Sequence, residues 1–305
     1  MENSCDVAVV GGSFAGLSAA LMLGRARRRA VVFDTGLTRN RFASHGHGVI
    51  GLDHRAPAEI VAAGRADLAR YPTVQVVDLA VTGITGGEGA FALTDAEGRV
   101  WQAKRVILAH GMRDILPDLP GLAEGWGHSV LQCPYCHGFE AAELPTAVLL
   151  THPGVLHIAQ IVTDLTADMV LFANGQVLAP EVAQMLAARG IAVEPEPVVA
   201  VEAPDGALRA VVLAGGRRVP RAVLYLTTRT ELTVPFAADL GAALEEGPFG
   251  RHIKVDMLQR TSIPGLFAAG DITRPFYGAP LSLAEGNRAG AAAHQSLLGL
   301  LPPMQ

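Results

Sequence analysis

The sequence is poor in charged residues and in cysteine, and both shortages exclude classes of protein. Of the 305 residues only 17% are charged while 50% are hydrophobic, which excludes a disordered chain, because such chains are charge-rich and apolar-poor. The net charge of −5 provides no basic surface of the kind that binds nucleic acid. At roughly 150 residues per domain, the length predicts two domains.

The sequence also lacks a long apolar run. A membrane-spanning helix needs ~20 consecutive apolar residues, and His110, His152–Pro153 and His294–Gln295 interrupt the longest candidates. The opening MENSCDVAVVGG shows neither the basic region nor the cleavage site of a secretory signal. We therefore expect a cytoplasmic protein with no membrane partner.

Three cysteines are too few for a disulfide-stapled secreted domain. Cys133 and Cys136 form a C-x-x-C pair, which in a cytosolic chain indicates redox or metal chemistry. Zinc needs about four ligands; no second cluster follows, and His137 cannot easily share a tetrahedral site with its neighbour. We therefore predict a redox pair and no metal site, with Cys5 as a small buried hydrophobe.

Two strand–helix–strand units dominate the pattern. They are predicted over residues 6–10, 17–23 and 30–33 in the first unit, and over 146–150, 156–165 and 169–172 in the second. Further strands are predicted at 91–94, 100–101, 104–109, 256–259 and 266–269, and a closing helix at 283–300. Two such units about 135 residues apart predict an α/β fold with two doubly wound, Rossmann-like domains.

A glycine-rich turn follows the first strand. It is a variant of G-x-G-x-x-G with serine in the second glycine's place, Gly11-Gly12-Ser13-Phe14-Ala15-Gly16. The motif lies between a strand and a helix, where backbone N–H groups can receive a pyrophosphate. Asp34 comes 23 residues after Gly11, at the end of the second strand, where an acidic residue binds ribose hydroxyls and disfavours a 2′-phosphate. These features predict a site for FAD or NAD.

Taken with later motifs, the chain resembles a low-molecular-weight thioredoxin reductase. The matching pieces are GGSFAGLSAA, Asp34, Ala109-His110-Gly111, Cys133-Pro134-Tyr135-Cys136 and IPGLFAAGDIT, which contains Gly270-Asp271. They cover nearly the whole length in family order. Ser13 and His110 depart from the family's usual glycine and threonine.

The resemblance implies an FAD-binding domain formed by residues 1–113 and 232–305. It implies an inserted domain, residues 114–231, that carries the dithiol, and a homodimer. Besides the motif residues, the FAD contacts that we expect are Thr35, Arg39, Asn40, His45, Val81 and Leu281. Leu281 comes just before the last helix, whose N-terminus resembles the one aimed at the flavin pyrimidine, where the dipole would stabilise a reduced, anionic ring. His47 lies on the same loop as His45, and this H-x-H pair lacks a third ligand that would indicate a metal.

The resemblance also assigns the cysteines: Cys136 lies near the flavin and Cys133 exchanges with the substrate. The residue that follows is His137, where ordinary members have an aspartate. The C-x-x-C-H-G-aromatic-E block resembles the branch that includes the dithiol oxidases of gliotoxin and holomycin biosynthesis. Histidine titrates near neutral pH, so it can take a proton from a thiol. Attachment of a c-type haem would require an exported protein and would leave the FAD motifs unexplained.

The second glycine-rich turn is missing. Where the inserted domain should bind NADPH, residues 151–156 keep only Gly154, with His152 and Pro153 before it. Proline removes one N–H group from the place where a pyrophosphate would approach. Between Arg113 and Arg189 there is no lysine or arginine that could bind a 2′-phosphate. We therefore predict that this domain does not bind NADPH.

The favoured function is an FAD-dependent dithiol oxidase that uses the Cys133–Cys136 pair. Oxygen is the expected acceptor and hydrogen peroxide the product, since the redox chemistry belongs to the cofactor. The substrate is a small natural-product dithiol or a thioredoxin-like protein. Two alternatives stay open: a disulfide reductase supplied by NADPH or ferredoxin, and a non-catalytic, flavin-bound redox sensor.

Overall fold

Strands and helices alternate along the chain, and the predicted α/β class with two Rossmann-type domains is confirmed. A computed structural model describes residues 3–303. In chain order the strands are β1 (Ser4–Val10), β2 (Ala30–Phe33), β3 (Val74–Val77), β4 (Val81–Gly87), β5 (Ala90–Asp95), β6 (Val100–Leu108), β7 (Met112–Ile115), β8 (Val130–Leu131), β9 (Thr146–Leu149), β10 (Met169–Phe172), β11 (Ala192–Glu194), β12 (Val198–Glu202), β13 (Ala210–Leu213), β14 (Arg218–Pro220), β15 (Val223–Tyr225), β16 (Arg229–Leu232), β17 (Leu244–Gly247), β18 (Gly250–Ile253) and β19 (Leu266–Ala268). The α-helices are α1 (Phe14–Arg25), α2 (Pro57–Leu68), α3 (Leu122–Gly125), α4 (Pro134–His137), α5 (Val155–Val162), α6 (Pro180–Ala188), α7 (Phe236–Asp239) and α8 (Ala279–Leu297).

The chain divides into two units. The first contains the described residues up to Arg41, Arg55–Arg113 and the described residues from Thr230 onward; the second contains Phe42–His54 and Asp114–Arg229. Residues 42–54, which the family resemblance predicts in the first domain, belong to the second unit.

The first unit is built on a parallel sheet in the order β3-β2-β1-β6. Strand β6 is long enough to have two partners on one side: its first half pairs with the antiparallel β5, and its second half pairs with the parallel β19. The carboxyl ends of β1, β2, β6 and β19 therefore meet at one edge of the sheet. In open α/β sheets this is the edge where ligands bind.

Both faces of this sheet are covered. Along β1, Ala8 and Val10 enter one buried cluster while Val7 and Val9 enter the other. Successive side chains of a strand point to opposite faces, so a strand covered on both faces reads as one continuous apolar run. This explains why the sequence predicts β1 and β2 so clearly.

Helices α1 and α8 pack closely because small residues face one another. A Cβ atom added to Gly286 would lie 2.0 Å from the carbonyl oxygen of Ala15, and one added to Gly290 would lie 2.4 Å from that of Ala19. The Ser18 hydroxyl also donates to the carbonyl of Leu283 at 2.7 Å. These contacts fix the start of α8 against the start of α1.

The second unit has its own parallel sheet, ordered β11-β10-β9-β15-β8, and a three-stranded antiparallel sheet, β12-β13-β14. Helices α5 and α6 follow β9 and β10. Strand β8 pairs in parallel with β15 and is followed after one residue by Cys133. The sheet thus positions the dithiol at a strand end.

Several element predictions differ from the structure. The predicted strands at 100–101 and 104–109 are one strand, β6, and the closing helix begins at Ala279 instead of 283. The predicted strand at 256–259 is wrong, because Asp256 accepts the N–H groups of Leu258 and Arg260 and closes a turn. Among the described residues, no helix is long and apolar enough to cross a membrane.

Candidate active site

The glycine turn after β1 depends on close backbone approach. Gly11 has φ +111°, and a Cβ atom there would lie 2.2 Å from the carbonyl oxygen of Ala109; one on Gly16 would lie 1.8 Å from the carbonyl oxygen of Gly11. Ser13, by contrast, has φ −98° in extended backbone, which any residue adopts. The serine that departs from the motif therefore causes no strain. The first N–H groups of α1, from Phe14 onward, have no partner within the helix.

Asp34 is buried at the end of β2, and both carboxylate oxygens have partners. Oδ1 accepts the N–H groups of Gly12 at 3.3 Å and Gly36 at 3.1 Å, and Oδ2 pairs with Arg65. Arg65 also pairs with Asp78 at 2.7 Å. The acidic residue predicted for the ribose is thus held in place by Arg65 of α2. Thr35, the next residue, is exposed.

Asp271 follows the end of β19 and meets Arg39. Its Oδ2 accepts from Arg39 Nη1 at 2.8 Å, and its Oδ1 accepts from the Ser282 hydroxyl at 3.2 Å. The Arg39 guanidinium lies 3.8 Å from the ring centroid of Tyr277, a cation–π distance. The structure therefore brings together two predicted FAD contacts that are far apart in the sequence.

Two features of position 270 favour glycine. The backbone there has φ +87°, and a Cβ atom added to Gly270 would lie 3.0 Å from the Cβ atom of Ala15 on α1. The N–H of Gly270 donates to the buried Glu285 at 2.8 Å, and Glu285 also pairs with Arg274. Leu281, on the first turn of α8, is exposed, and Asn40 is half-buried.

His110 follows β6 at the same edge of the sheet. Its Nδ1 lies 2.9 Å from the Thr233 hydroxyl, while its Nε2 is buried without a hydrogen-bond partner among residues 3–303. Burial lowers the pKa of His110 to about 4, so the ring is neutral at pH 7. Gly111 has φ +76°, and Val81 is buried at the start of β4.

These residues fit a bound dinucleotide. The strand ends supply a glycine cradle, helix N–H groups, a buried carboxylate and a buried imidazole nitrogen that needs a partner. Buried polar atoms in native proteins almost always have a partner, so the free Nε2 of His110 indicates a group beyond the protein itself.

The dithiol of the second unit is oxidised, with Cys133 and Cys136 in a disulfide. Pro134 begins the single-turn helix α4, and the N–H of Cys136 donates to Cys133 Sγ at 3.1 Å. Both cysteines are half-buried, whereas Tyr135 is 82% and Phe139 90% exposed. The disulfide is thus accessible and flanked by aromatic surface.

His137, at the end of α4, is half-buried. Burial lowers the pKa of His137, the nearby His47 lowers it further, and Glu140 opposes the shift. The imidazole is therefore neutral at pH 7, the form that accepts a proton. His45 and His47 belong to this unit: His45 stacks on His54, with ring centroids 4.4 Å apart, and His47 Nε2 lies 3.4 Å from Glu140.

In the turn after β9, which we call the filled turn, backbone N–H groups donate to atoms of the turn itself. The N–H of Gly154 donates to Nδ1 of His152 at 3.0 Å, the N–H of Val155 to the carbonyl of His152, and that of Leu156 to the carbonyl of Pro153. In the following strand–loop segment, Gln176 donates to the carbonyl of Leu150 at 2.7 Å. The N–H groups at the start of α5, which a pyrophosphate would need, therefore already donate hydrogen bonds within the turn.

Several residues of these sites could not be predicted from the sequence. Arg65 lies on α2, 31 residues after Asp34, and Glu285 lies on α8, 15 residues after Gly270; no motif marks either residue. Tyr225 ends β15, and burial together with the nearby Glu140 raises its pKa to about 12. The tyrosine hydroxyl is buried and has no hydrogen-bond partner among the described residues.

Comparison with known proteins agrees with this geometry. The family model described as pyridine nucleotide-disulphide oxidoreductase matches residues 5–295. "Thioredoxin reductase tcpT" of Claviceps purpurea (strain 20.1) is 34% identical, covering 97% of this chain and 95% of the relative. "Thioredoxin reductase sirT" of Leptosphaeria maculans is 32% identical, covering 96% and 94%.

Two solved structures are similar over almost the whole chain. An oxidoreductase from Agrobacterium tumefaciens has a TM-score of 0.93 at 42% identity, covering 97% of this chain and 99% of that one. The crystal structure of HlmI has a TM-score of 0.90 at 34% identity, covering 97% and 93%. The resemblance to thioredoxin reductases that the motifs predicted is confirmed.

Proposed function

Because the chain belongs to the pyridine nucleotide-disulphide oxidoreductase family, we propose a direction of electron flow that the family leaves open: the protein oxidises a dithiol and passes the electrons to oxygen. It is a flavin-dependent, thioredoxin reductase-like disulfide oxidoreductase, and its cofactor is FAD. The residues that would hold FAD are the glycine turn with Asp34, Arg39, His110 and Asp271.

The observation that carries this proposal is the filled turn at the start of α5. Its first N–H groups donate to Nδ1 and the carbonyl oxygen of His152 and to the carbonyl oxygen of Pro153. Residues 114–188 contain no lysine or arginine, so a 2′-phosphate would have no cationic partner there. Without NADPH as a donor, a dithiol substrate becomes the source of electrons.

The disulfide performs the exchange with the substrate. A substrate thiolate attacks Sγ of Cys133, the Cys133–Cys136 bond breaks, and Cys136 leaves as a thiolate. The second substrate thiol gives its proton to His137 and attacks the mixed disulfide; the product disulfide forms and Cys133 leaves as a thiolate. The N–H of Cys136, which already donates to Cys133 Sγ, favours that leaving thiolate. Bound FAD supplies the two-electron acceptor that restores the disulfide, with oxygen reduced to hydrogen peroxide.

The surface around the disulfide supports a small apolar or aromatic dithiol as substrate. Tyr135 lies between the cysteines and Phe139 follows α4, and both side chains are largely exposed. Exposed aromatic side chains next to a reactive group are typical of binding surfaces.

The test is an anaerobic titration of the purified holoenzyme. Dithiothreitol should bleach the flavin, NADPH should not, and air should restore the colour with one hydrogen peroxide formed per disulfide. A Cys133→Ser, Cys136→Ser double variant is the control and should resist bleaching by dithiothreitol. Rapid stoichiometric bleaching by NADPH would overturn the oxidase proposal in favour of a reductase, the activity in the names of the two Claviceps and Leptosphaeria relatives.

Single variants test the roles of the two cysteines. Cys133→Ser should leave a Cys136 thiolate and a long-wavelength charge-transfer absorption, whereas Cys136→Ser should lack it. The opposite pattern would reverse the two roles.

We also propose a cytoplasmic homodimer on the family resemblance. Light scattering coupled to gel filtration tests the oligomeric state, and cell fractionation tests the location.

A further inference from the structure

A histidine-rich segment lies beside the dithiol in the second unit. Phe42–His54 belongs to this unit, although the chain on both sides of it belongs to the first. The segment carries His47 and His54 to Glu140, which follows α4. One ligand atom from each of these three side chains lies within 4.8 Å of the others. The sequence could not show this cluster, because its members come from separate stretches of the chain.

The spacing within the cluster suits a transition-metal ion. His47 Nε2 and Glu140 Oε1 are 3.4 Å apart. Two ligands of a tetrahedral zinc ion with bonds of ~2.0–2.1 Å are ~3.4 Å apart. His54 and Glu140 are exposed, so rotation of their side chains can close the wider separations. Imidazole and carboxylate donors favour zinc or iron over magnesium or calcium.

Neighbouring groups contact both histidines. The second ring nitrogen of His47 lies 3.7 Å from Asp53 Oδ1, beyond hydrogen-bond length, and a small rotation of the exposed Asp53 side chain would form the carboxylate–histidine pair that orients metal-binding imidazoles. Asp53 is in turn fixed by the N–H of Gly48 at 2.8 Å. The His54 ring is stacked on His45 with an interplanar angle of 8°, and the N–H of His54 donates to the carbonyl of Gly46 at 2.9 Å.

We propose that His47, His54 and Glu140 bind one divalent transition-metal ion, with Zn²⁺ as the preferred ion and a fourth position open to water or an added ligand. The ion would tie segment 42–54 to the residues that follow α4. Such a segment, with Ile50 fully exposed, has little apolar burial of its own to order it. Metal binding contributes folding free energy where ligands come from separate chain stretches. The proposal is independent of the direction of electron flow.

The experiment uses the oxidised holoenzyme after removal of metal by a chelator. The oxidised state matters, because free thiolates of Cys133 and Cys136 would themselves bind zinc. Calorimetric titration with Zn²⁺ should give one ion per chain, and Co²⁺ should give the strong visible absorption of a tetrahedral site. Anaerobic competition with Fe²⁺ tests the choice of ion, since two histidines and one carboxylate also suit iron. Tighter binding of Fe²⁺ would overturn the zinc preference and retain the site.

Three variants and one control define the site. His54→Asn keeps a residue that tolerates the φ of +62° while removing the ring, and Glu140→Gln removes the charge. Each should weaken Zn²⁺ binding by more than the ~10–100-fold expected for Asp53→Asn, which removes only an orienting group. His157→Gln, which changes an exposed histidine on α5, should bind as the unmodified protein does.

A second readout separates this site from adventitious surface binding. Zn²⁺ should slow amide hydrogen exchange in residues 42–54 of the unmodified protein and not in His54→Asn or Glu140→Gln. Flavin content and thermal unfolding of the metal-free variants show whether they fold. Equal Zn²⁺ affinity in His54→Asn, Glu140→Gln and the unmodified protein would overturn the proposal, as would a loss of affinity in His157→Gln as large as in the ligand variants.

Discussion

The half-buried His110, whose Nε2 atom is fully buried, makes the first unit sensitive to acid. Burial holds the pKa of His110 at about 4, against 6.5 for an ordinary histidine. Because the folded pKa is depressed, the unfolded chain binds the proton first as the pH falls. The contribution to stability is therefore complete above pH 6.5 and is lost toward pH 4. Linkage between these two pKa values gives a loss of about 2 kcal/mol between pH 7 and pH 5.

His110→Thr should remove that part of the acid sensitivity. Urea unfolding of the flavin-free protein is followed at pH 7 and pH 5 by tryptophan fluorescence in a Trp126→Phe background. The remaining tryptophan, Trp101, lies in the same unit as His110. The free energy of unfolding of the parent should fall by about 2 kcal/mol more than that of His110→Thr. His157→Gln is the matched control and should behave as the parent. Identical pH dependence in His110→Thr and the parent would refute the argument from burial.

Three further predictions concern the cofactor site, the helix packing and the dithiol. Arg39→Ala removes the ion pair with Asp271, a partly buried charged hydrogen bond that contributes about 1–2 kcal/mol. The dissociation constant for FAD, measured by titrating the apoprotein, should therefore rise roughly 10-fold. An unchanged constant would show that Arg39 does not act on FAD. Gly286→Ala forces a Cβ into the backbone of α1 and should lower the free energy of unfolding by about 1–3 kcal/mol in chemical denaturation, whereas Gly278→Ala, with its nearest atoms at 3.8 Å, should be tolerated. His137→Ala should slow anaerobic flavin reduction by dithiothreitol about 100-fold in stopped flow, and a rate within twofold of the parent would exclude His137 as the base.

The sequence predicted best where local rules coincide with burial. Strand β1, the glycine turn and strand β2 combine an apolar run, a turn that needs glycine and a short helix, and the structure has all three. Ser13 shows that the position of the motif's second glycine has extended backbone in this chain, which serine adopts without strain. The predicted strand at 256–259 failed because Asp256 bonds to the nearby backbone, and such side-chain competition overrides an apolar pattern.

Electrostatic partners that are distant in the sequence could not be predicted from it. Asp34 was identified by its spacing from Gly11, but its counter-ion Arg65 is set by the packing of α2, which no spacing rule encodes. The H-x-H pair of His45 and His47 was interpreted as lacking a third ligand for a metal. The fold supplies candidates from elsewhere in the chain, and the prediction of no metal site is replaced by the proposal above.

The second unit positions the dithiol through strand pairing that does not involve the turn after β9. Its sheet presents two different strand ends: β9 leads into the filled turn at His152, and β8 leads into Cys133. Strand β15 pairs with both, so the position of the dithiol depends on the sheet and not on the turn. Bulky residues could therefore occupy the turn while the dithiol kept its place. This separation explains how one chain can retain a disulfide oxidoreductase fold and dithiol while residues 151–156 keep only one glycine.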